Sequence, residues 1–380
     1  MAGGRSEREP VALVVDSVPG FDIIWPHLDI EDGPRVPKIY ARYLDYLRRE
    51  LFSIGQYQPP AITAPGDFLS LIAKLQSLSG NGIMRTEAIH AVRELVVEEA
   101  PSDDQLLRAV DIAVRVWLTV DVSSFKWKKP GLLTWNAKDS LSEVIQSHFN
   151  SLKNQKPRNL HKHEEINPDF TAHSLVKYHG YQIIWTDNLV EHLTIDWKSK
   201  TLTVYEHKIC LNNHLSLRTS LIPREVLGEA LDTLNLLFPD QDKRTQRFLD
   251  QNKRPFYRLG LCKRPRKLSV DHYSYWRHQI ADLVHIMAGP PVGLQQLGLY
   301  YKGENLLQFT TFWIATAVGV FTLLGIALGI ASTVYGFKSY KLALKQAYLM
   351  ADMKPEMHCC LGDGNGPGSI QQIHPKGDNY

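Results

Sequence analysis

From Asn305 to Phe337 the chain runs for thirty-three residues without a charge, "NLLQFTTFWIATAVGVFTLLGIALGIASTVYGF". As a helix that stretch reaches about 50 Å, and roughly 20 residues already cross a hydrocarbon core of about 30 Å. Residues 312–330 include ten Leu, Ile, Val or Phe. Each favours insertion by about 0.3–0.6 kcal/mol, with nothing ionisable to offset them. A helix over residues 306–351, spanning the bilayer at about 309–335, is therefore predicted in preference to a buried core helix. Phe312 and Trp313 mark one end and Tyr335 the other, as interface-seeking aromatics do. Beyond them Lys338, Lys341 and Lys345 recur at helical spacing and can reach toward headgroups as a basic membrane-surface set. Gly325 with Gly329, and Ala315 with Gly319, form small-xxx-small pairs that let two helices approach closely. Self-association through this helix is an expectation on that ground.

The rest of the 380 residues has the composition of a folded protein, 44% hydrophobic and 22% charged. Net charge is only +3, but it is unevenly spread. Residues 1–121 hold 12 Lys/Arg against 18 Asp/Glu, and residues 122–308 hold 26 against 18. That asymmetry suits docking of two halves or a basic face toward anionic lipid; it is too mild to call for nucleic acid. Of the four cysteines only Cys210 and Cys262 fall where folding is expected, so no disulfide framework is encoded. The opening "MAGGRSEREPVALVVDSVPG" has no apolar run of signal-peptide length. A cytosolic body is the resulting expectation, with the single span bringing the tail across. The three lysines after the span pull the other way.

Four segments in the first half carry apolar residues at helical spacing: "VPKIYARYLDYLRRELFSIG", "GDFLSLIAKLQSLS", "RTEAIHAVRELVVEEA" and "DDQLLRAVDIAVRVWLTVD". Ser102 with Gln105, and Ser140 with Glu143, match the capping-box pattern that satisfies orphan amides at helix starts. Residues 1–150 thus read as a mainly helical unit. Polar, proline-bearing residues 151–168 read as a linker. Over residues 169–300, "GYQIIW", "LTIDW" and "TLTVYEH" read as strands, the last two joined as a hairpin at "KSK". Helices return at "PREVLGEALDTLNLLF" and "YSYWRHQIADLVHIMAG". The fold class predicted is mainly α with a small antiparallel sheet, an α+β arrangement, followed by the transmembrane helix. Glycine-rich residues 352–380 read as a disordered tail.

The densest chemistry lies in "IIWTDNLVEHLTIDW", residues 183–197. Thr186, Asp187 and Asn188 sit where side-chain oxygens cap a single turn holding Leu189, Val190, Glu191 and His192. Trp185 and Trp197 read as core anchors of the sheet. The competing reading makes Asp187, Glu191 and His192 an acid–base site. "HKHEE" at 161–165 lacks the spacing of a metal motif and reads as solvated charge. His278 and His285 read as residues at a packing edge. Cys359 and Cys360 are palmitate acceptors if cytoplasmic. The run "NKRPFYRLGLCKRPRKL" places Lys253, Arg254, Arg258, Lys263, Arg264, Arg266 and Lys267 around Phe256 and Tyr257. Charge with aromatics suits an anionic bilayer surface; a solvated loop and a nuclear import signal are the other readings. No nucleotide-binding, kinase or hydrolase motif occurs, and "GDGNGPG" follows no strand, so no cofactor and no metal are expected.

"HGYQIIWTDNLVEHLTID" with the hairpin after it, "PREVLGEALDTLNLLFP", "YSYWRHQIADL" and the closing apolar segment through "YGFKSY" resemble a family of uncharacterised filamentous-fungal proteins. The resemblance runs from about residue 85 to 350. It implies an ascomycete origin and a shared fold ending in one span, and it assigns no reaction, cofactor or catalytic residue. The expectation for function is a single-pass membrane-anchored binding or scaffolding module with an unknown protein partner. The rival is an anchored enzyme built on Asp187, Glu191 and His192. A transporter is disfavoured, because one span without ionisable residues offers no path.

Overall fold

The computed structural model describes residues 24–25, 36–53, 61–62, 64–96, 101–125, 129–155, 165–217, 219–291 and 306–352. The chain divides into two compact units, Met1–Gly298 and Leu299–Tyr380. In the first, the described residues run through helices α1 (Val36–Ser53), α2 (Pro65–Leu78), α3 (Arg85–Arg93) and α4 (Asp103–Leu118). Each of the first-half segments with helical periodicity forms a helix. Helix α4 begins where its capping box places it: Ser102 Oγ accepts from the Gln105 backbone amide, and Gln105 Oε1 accepts from the Ser102 backbone amide at 3.0 Å. Its stripe from Leu106 to Trp117 is buried, and α1, α2 and α3 all pack on it. The second box, Ser140 with Glu143, starts α5 (Leu141–Lys153).

Two sheets follow from the chain path. Strands β1 (Val122–Ser123) and β2 (Leu133–Thr134) form a short parallel pair that the sequence does not announce. The larger sheet has order β3-β5-β4, from β3 (Gln182–Thr186), β4 (Ile195–Asp196) and β5 (Thr201–Tyr205). The hairpin forms as expected, with Ile195 opposite Leu202 and Asp196 opposite Thr201. The sheet is mixed rather than antiparallel, because the hairpin folds β5 between β4 and β3, and β5 then runs parallel to β3 from Gln182↔Thr201 to Thr186↔Tyr205.

Helices α6 (Ala172–His179), α7 (Lys208–Ser216), α8 (Arg224–Leu237), α9 (Lys243–Gln251) and α10 (Arg277–Ala288) complete this unit. Helix α8 is its centre, with every residue from Val226 to Leu237 buried. The polar residues among them are each satisfied. Glu229 accepts the amides of Ser274, Tyr275 and Trp276 at 2.7 Å, just ahead of α10. Asp232 takes Arg264 at 2.6 Å and Lys267 at 2.7 Å, and Asn235 donates to the carbonyls of Leu261 and Arg264.

Where the sequence reads as two units parted at 151–168, one hydrophobic core runs from Ile24 to Leu283. Phe149 of the helical half meets Trp276 at 5.9 Å, and Thr119 Oγ1 lies 2.6 Å from the Tyr205 hydroxyl on β5. Of the expected linker, residues 156–164, which hold His161, His163 and Glu164, lie outside the described residues; Glu165 bridges to Ser269. The expected tail and Cys359 and Cys360 also lie outside them.

The second unit contains α11 (Leu306–Asp352), a helix of 47 residues. Among the described residues it is the one helix long and apolar enough to cross a membrane, over Phe309–Ala351, and its most apolar 18 residues have a mean hydropathy of 2.3 with none of them buried. Its large apolar side chains are exposed on all sides, Phe321 at 71% and Leu323 at 69% among them. Soluble proteins seldom leave so large a continuous apolar surface in water. Gly319, Gly325 and Gly329 have open space where a Cβ would stand, and Ala315, Lys338, Lys341 and Lys345 lie on the same exposed helix.

Candidate functional site

Strand β3 and strand β5 run side by side and end together, which brings the residues after each into one place. Asp187 follows β3, and Glu206 and His207 follow β5; ligand atoms of the three lie within 4.8 Å of one another. His207 Nε2 is 2.6 Å from Asp187 Oδ1, and the imidazole is enclosed by the rings of Tyr43, Tyr46 and Tyr205. Its Nδ1 is buried and has no hydrogen-bond partner among the described residues. Burial pushes the Asp187 carboxyl up, but the His207 hydrogen bond and charge, and then Arg49 at 3.0 Å, outweigh it and hold the group below the usual carboxylate range. Glu206 is buried between two guanidiniums, Arg42 of α1 at 3.3 Å and Arg254 from the turn after α9.

The donor set resembles a cation site, yet its charges argue otherwise. Three guanidiniums already occupy the two carboxylates, so an added metal ion would face three positive neighbours. The network is better described as an ion-paired junction between α1, the sheet and the turn after α9. Arg254 is the pivot: its guanidinium also lies over Trp185, 5.5 Å from the ring centroid, and burial lowers its pKa.

Beside the junction opens a cleft of about 280 Å³. Five cationic side chains line it, Arg42, Lys208, Lys253, Arg254 and Arg258, against two carboxylates, Glu206 and Asp250. Tyr43 and Phe256 contribute aromatic wall. Lys208 is nearly fully buried and its ammonium is held by Asn235 Oδ1 and the Gly260 carbonyl, both at 2.7 Å. Among the described residues it makes no ion pair, and burial lowers its pKa. Lys253 is exposed, with a left-handed backbone at φ 56°, and its side chain has no partner among the described residues.

The residues singled out from sequence are dispersed. Asp187 belongs to the junction and does not cap: Asn188 caps the short turn Leu189–Glu191, its Oδ1 accepting from the Val190 amide at 3.1 Å and the Asp121 amide at 3.2 Å. The asparagine's Nδ2 donates to Gly131 O at 2.6 Å. Gly131 has φ 77°, and a Cβ there would overlap the Glu191 side chain, so glycine is needed for both reasons. Glu191 accepts from Thr186 Oγ1 at 2.7 Å. His192 turns into the core, where Nδ1 accepts from the Tyr205 amide and Nε2 lies 2.7 Å from Thr233 Oγ1. No hydrogen bond or ion pair among the described residues joins Asp187, Glu191 and His192 to one another. Trp185 packs on Phe238 and Phe256 as a core anchor does, but Trp197 is 45% exposed.

The basic run is drawn largely inward. Arg264 and Lys267 pair with buried Asp232, and Arg266 donates to the carbonyls of Leu236, Pro168 and Phe170. Lys263 is exposed. Sequence reasoning did not single out Glu206, His207, Lys208, Arg42 and Arg49. The available signal was "YEHK" at the end of a strand, where ionisable residues cluster at a sheet's carboxyl edge. No protein-family model, no curated protein and no solved structure matches the chain.

Proposed function

We propose that this chain is a single-pass membrane protein whose folded unit is a binding module, with the basic cleft beside the Asp187–Glu206–His207 junction as its ligand seat. The observation that carries the membrane part is α11, which holds within Phe309–Ala351 an apolar 18-residue stretch that is wholly unburied. The cleft supports binding: its cations come from three separate elements that the junction locks together. The free thiols Cys210 and Cys262 accord with a body on the reducing, cytosolic side. The chain truncated before Leu306 should leave the membrane pellet for the soluble fraction, and the full chain should resist carbonate extraction. Full-length protein released by carbonate would overturn the anchored reading. Protease protection in intact microsomes, with tags at both ends, decides orientation against the pull of Lys338, Lys341 and Lys345.

A second reading keeps acid–base chemistry at Asp187 but replaces His192 by His207, favoured by the 2.6 Å contact and the unpartnered Nδ1. Against it stands the setting of the ring, whose Nε2 is already committed to Asp187 and whose faces are enclosed by Tyr43, Tyr46 and Tyr205.

A further inference from the structure

We propose that the cleft lined by Arg42, Lys208, Lys253, Arg254 and Arg258 takes a phosphate-bearing ligand, whose charge serves as the counter-ion that Lys208 lacks among the described residues. This deepens the binding-module reading and rests on it.

The argument starts from Lys208. A buried ammonium is costly unless paired, and this one is held by an amide oxygen and a carbonyl, with no carboxylate as ion-pair partner among the described residues. Two acceptors leave one of its three N–H donors unassigned. The same cleft carries Lys253, whose side chain has no partner among the described residues, and Arg258, which lies over the Tyr257 ring. Arg42 and Arg254 share the single carboxylate of Glu206. Asp250, the other carboxylate, accepts from the Tyr257 hydroxyl at 3.2 Å. Five cations against two carboxylates leave an excess that one monoanion would not balance. A phosphomonoester brings up to two charges and three acceptor oxygens, which guanidinium and ammonium groups approaching from different elements can share. At about 280 Å³ the cleft suits the phosphate with a small adjoining group, against the wall of Tyr43 and Phe256. A soluble phosphomonoester and a lipid headgroup present the same chemistry here.

The test uses the full chain in phosphate-free detergent, titrated calorimetrically with inorganic phosphate, phenyl phosphate and acetate, and in parallel mixed with phosphatidylcholine vesicles with or without a phosphorylated inositol lipid. Lys253→Asn removes one exposed charge while keeping a residue that tolerates the left-handed backbone, and Lys208→Gln retains donors without charge. We expect saturable one-to-one binding of a phosphate probe, weakened about tenfold by Lys253→Asn and more by Lys208→Gln. Binding of phenyl phosphate identifies a soluble ligand class. Variant-sensitive enrichment on the inositol-lipid vesicles alone identifies a headgroup. Acetate binding as tightly as phenyl phosphate would overturn the phosphate assignment while leaving the cleft as a ligand seat. No anion binding, or binding unchanged by Lys253→Asn, would overturn the inference outright, and carbonate extraction would still report on anchoring independently.

Discussion

His192 shows how a single residue's chemistry is set by its neighbours. The Tyr205 amide donates to Nδ1, so the other nitrogen carries the proton and donates to Thr233 Oγ1, whose hydroxyl passes a hydrogen bond to the Ala230 carbonyl. The ring is fully satisfied while neutral, and Trp276 covers one edge at 5.2 Å. Burial pulls its pKa down to about 3. The sign follows from linkage: the unfolded chain, with an ordinary histidine near 6.5, takes up a proton first as pH falls. This group's contribution is therefore complete above about pH 6.5 and drains between about pH 6.5 and 3, by at most roughly 1.4 kcal/mol per pH unit. Burial depresses His148 and His179 in the same direction, and raises Asp111 to about 6, which acts oppositely. The diagnostic comparison is thus between variants. Denaturant unfolding of His192→Gln from pH 7 to 4.5 should show a flatter loss of stability than wild type, and parallel curves would contradict a neutral, buried His192.

At the scale of elements, α8 organises the chain after it. Glu229, Asp232 and Asn235 recur at spacing three along one face, and the segment 260–276 is hung on them by its amides, cations and carbonyls. Gly228 belongs to the same device, because a Cβ there would stand 3.0 Å from the Arg264 guanidinium. Removing one partner of a buried pair leaves the other charges uncompensated, at about 3–5 kcal/mol when all are buried. Arg264 and Lys267 keep 30% of their side chains exposed, so Asp232→Ala should cost less, about 2–3 kcal/mol by denaturant unfolding. It should also free the 260–276 segment to early hydrogen exchange. A loss under about 0.5 kcal/mol, the range of an ordinary surface change, would mean that the latch contributes nothing.

The whole folded unit is held by contacts that cross the middle of the chain. Tyr43 and Tyr46 of α1 donate to the carbonyls of Val116 and Arg115, and Arg42 and Arg49 reach Glu206 and Asp187. A core shared from Ile24 to Leu283 should unfold cooperatively. Thermal unfolding of the full chain in detergent, followed by tryptophan fluorescence and by far-UV circular dichroism with the α11 signal as baseline, should give coincident transitions for this unit. Two separated transitions would show that the halves on either side of residue 155 are independent domains.

The sequence by itself determined the features that depend on neighbours along the chain. The uncharged run specifies α11 because length and hydropathy are local sums, and the capping boxes at Ser102 and Ser140 start their helices because the bonds close within three residues. The β4–β5 hairpin is legible for the same reason. Tertiary structure decided whatever depends on partners far away. Asp187 looked like a cap by its position, but Asn188 takes that role, and Asp187 finds Arg49 and His207, 138 and 20 residues distant. His192 reads from sequence as part of a structural turn, with a reactive role only in the rival reading, and it is a satisfied core group. The basic run looked like surface, yet Arg264 and Lys267 reach the buried carboxylate of Asp232, more than thirty residues earlier. The cleft forms where α1, the residues after β5 and the turn after α9 meet, segments more than 160 and 40 residues apart whose meeting is fixed by long-range packing that no local period encodes.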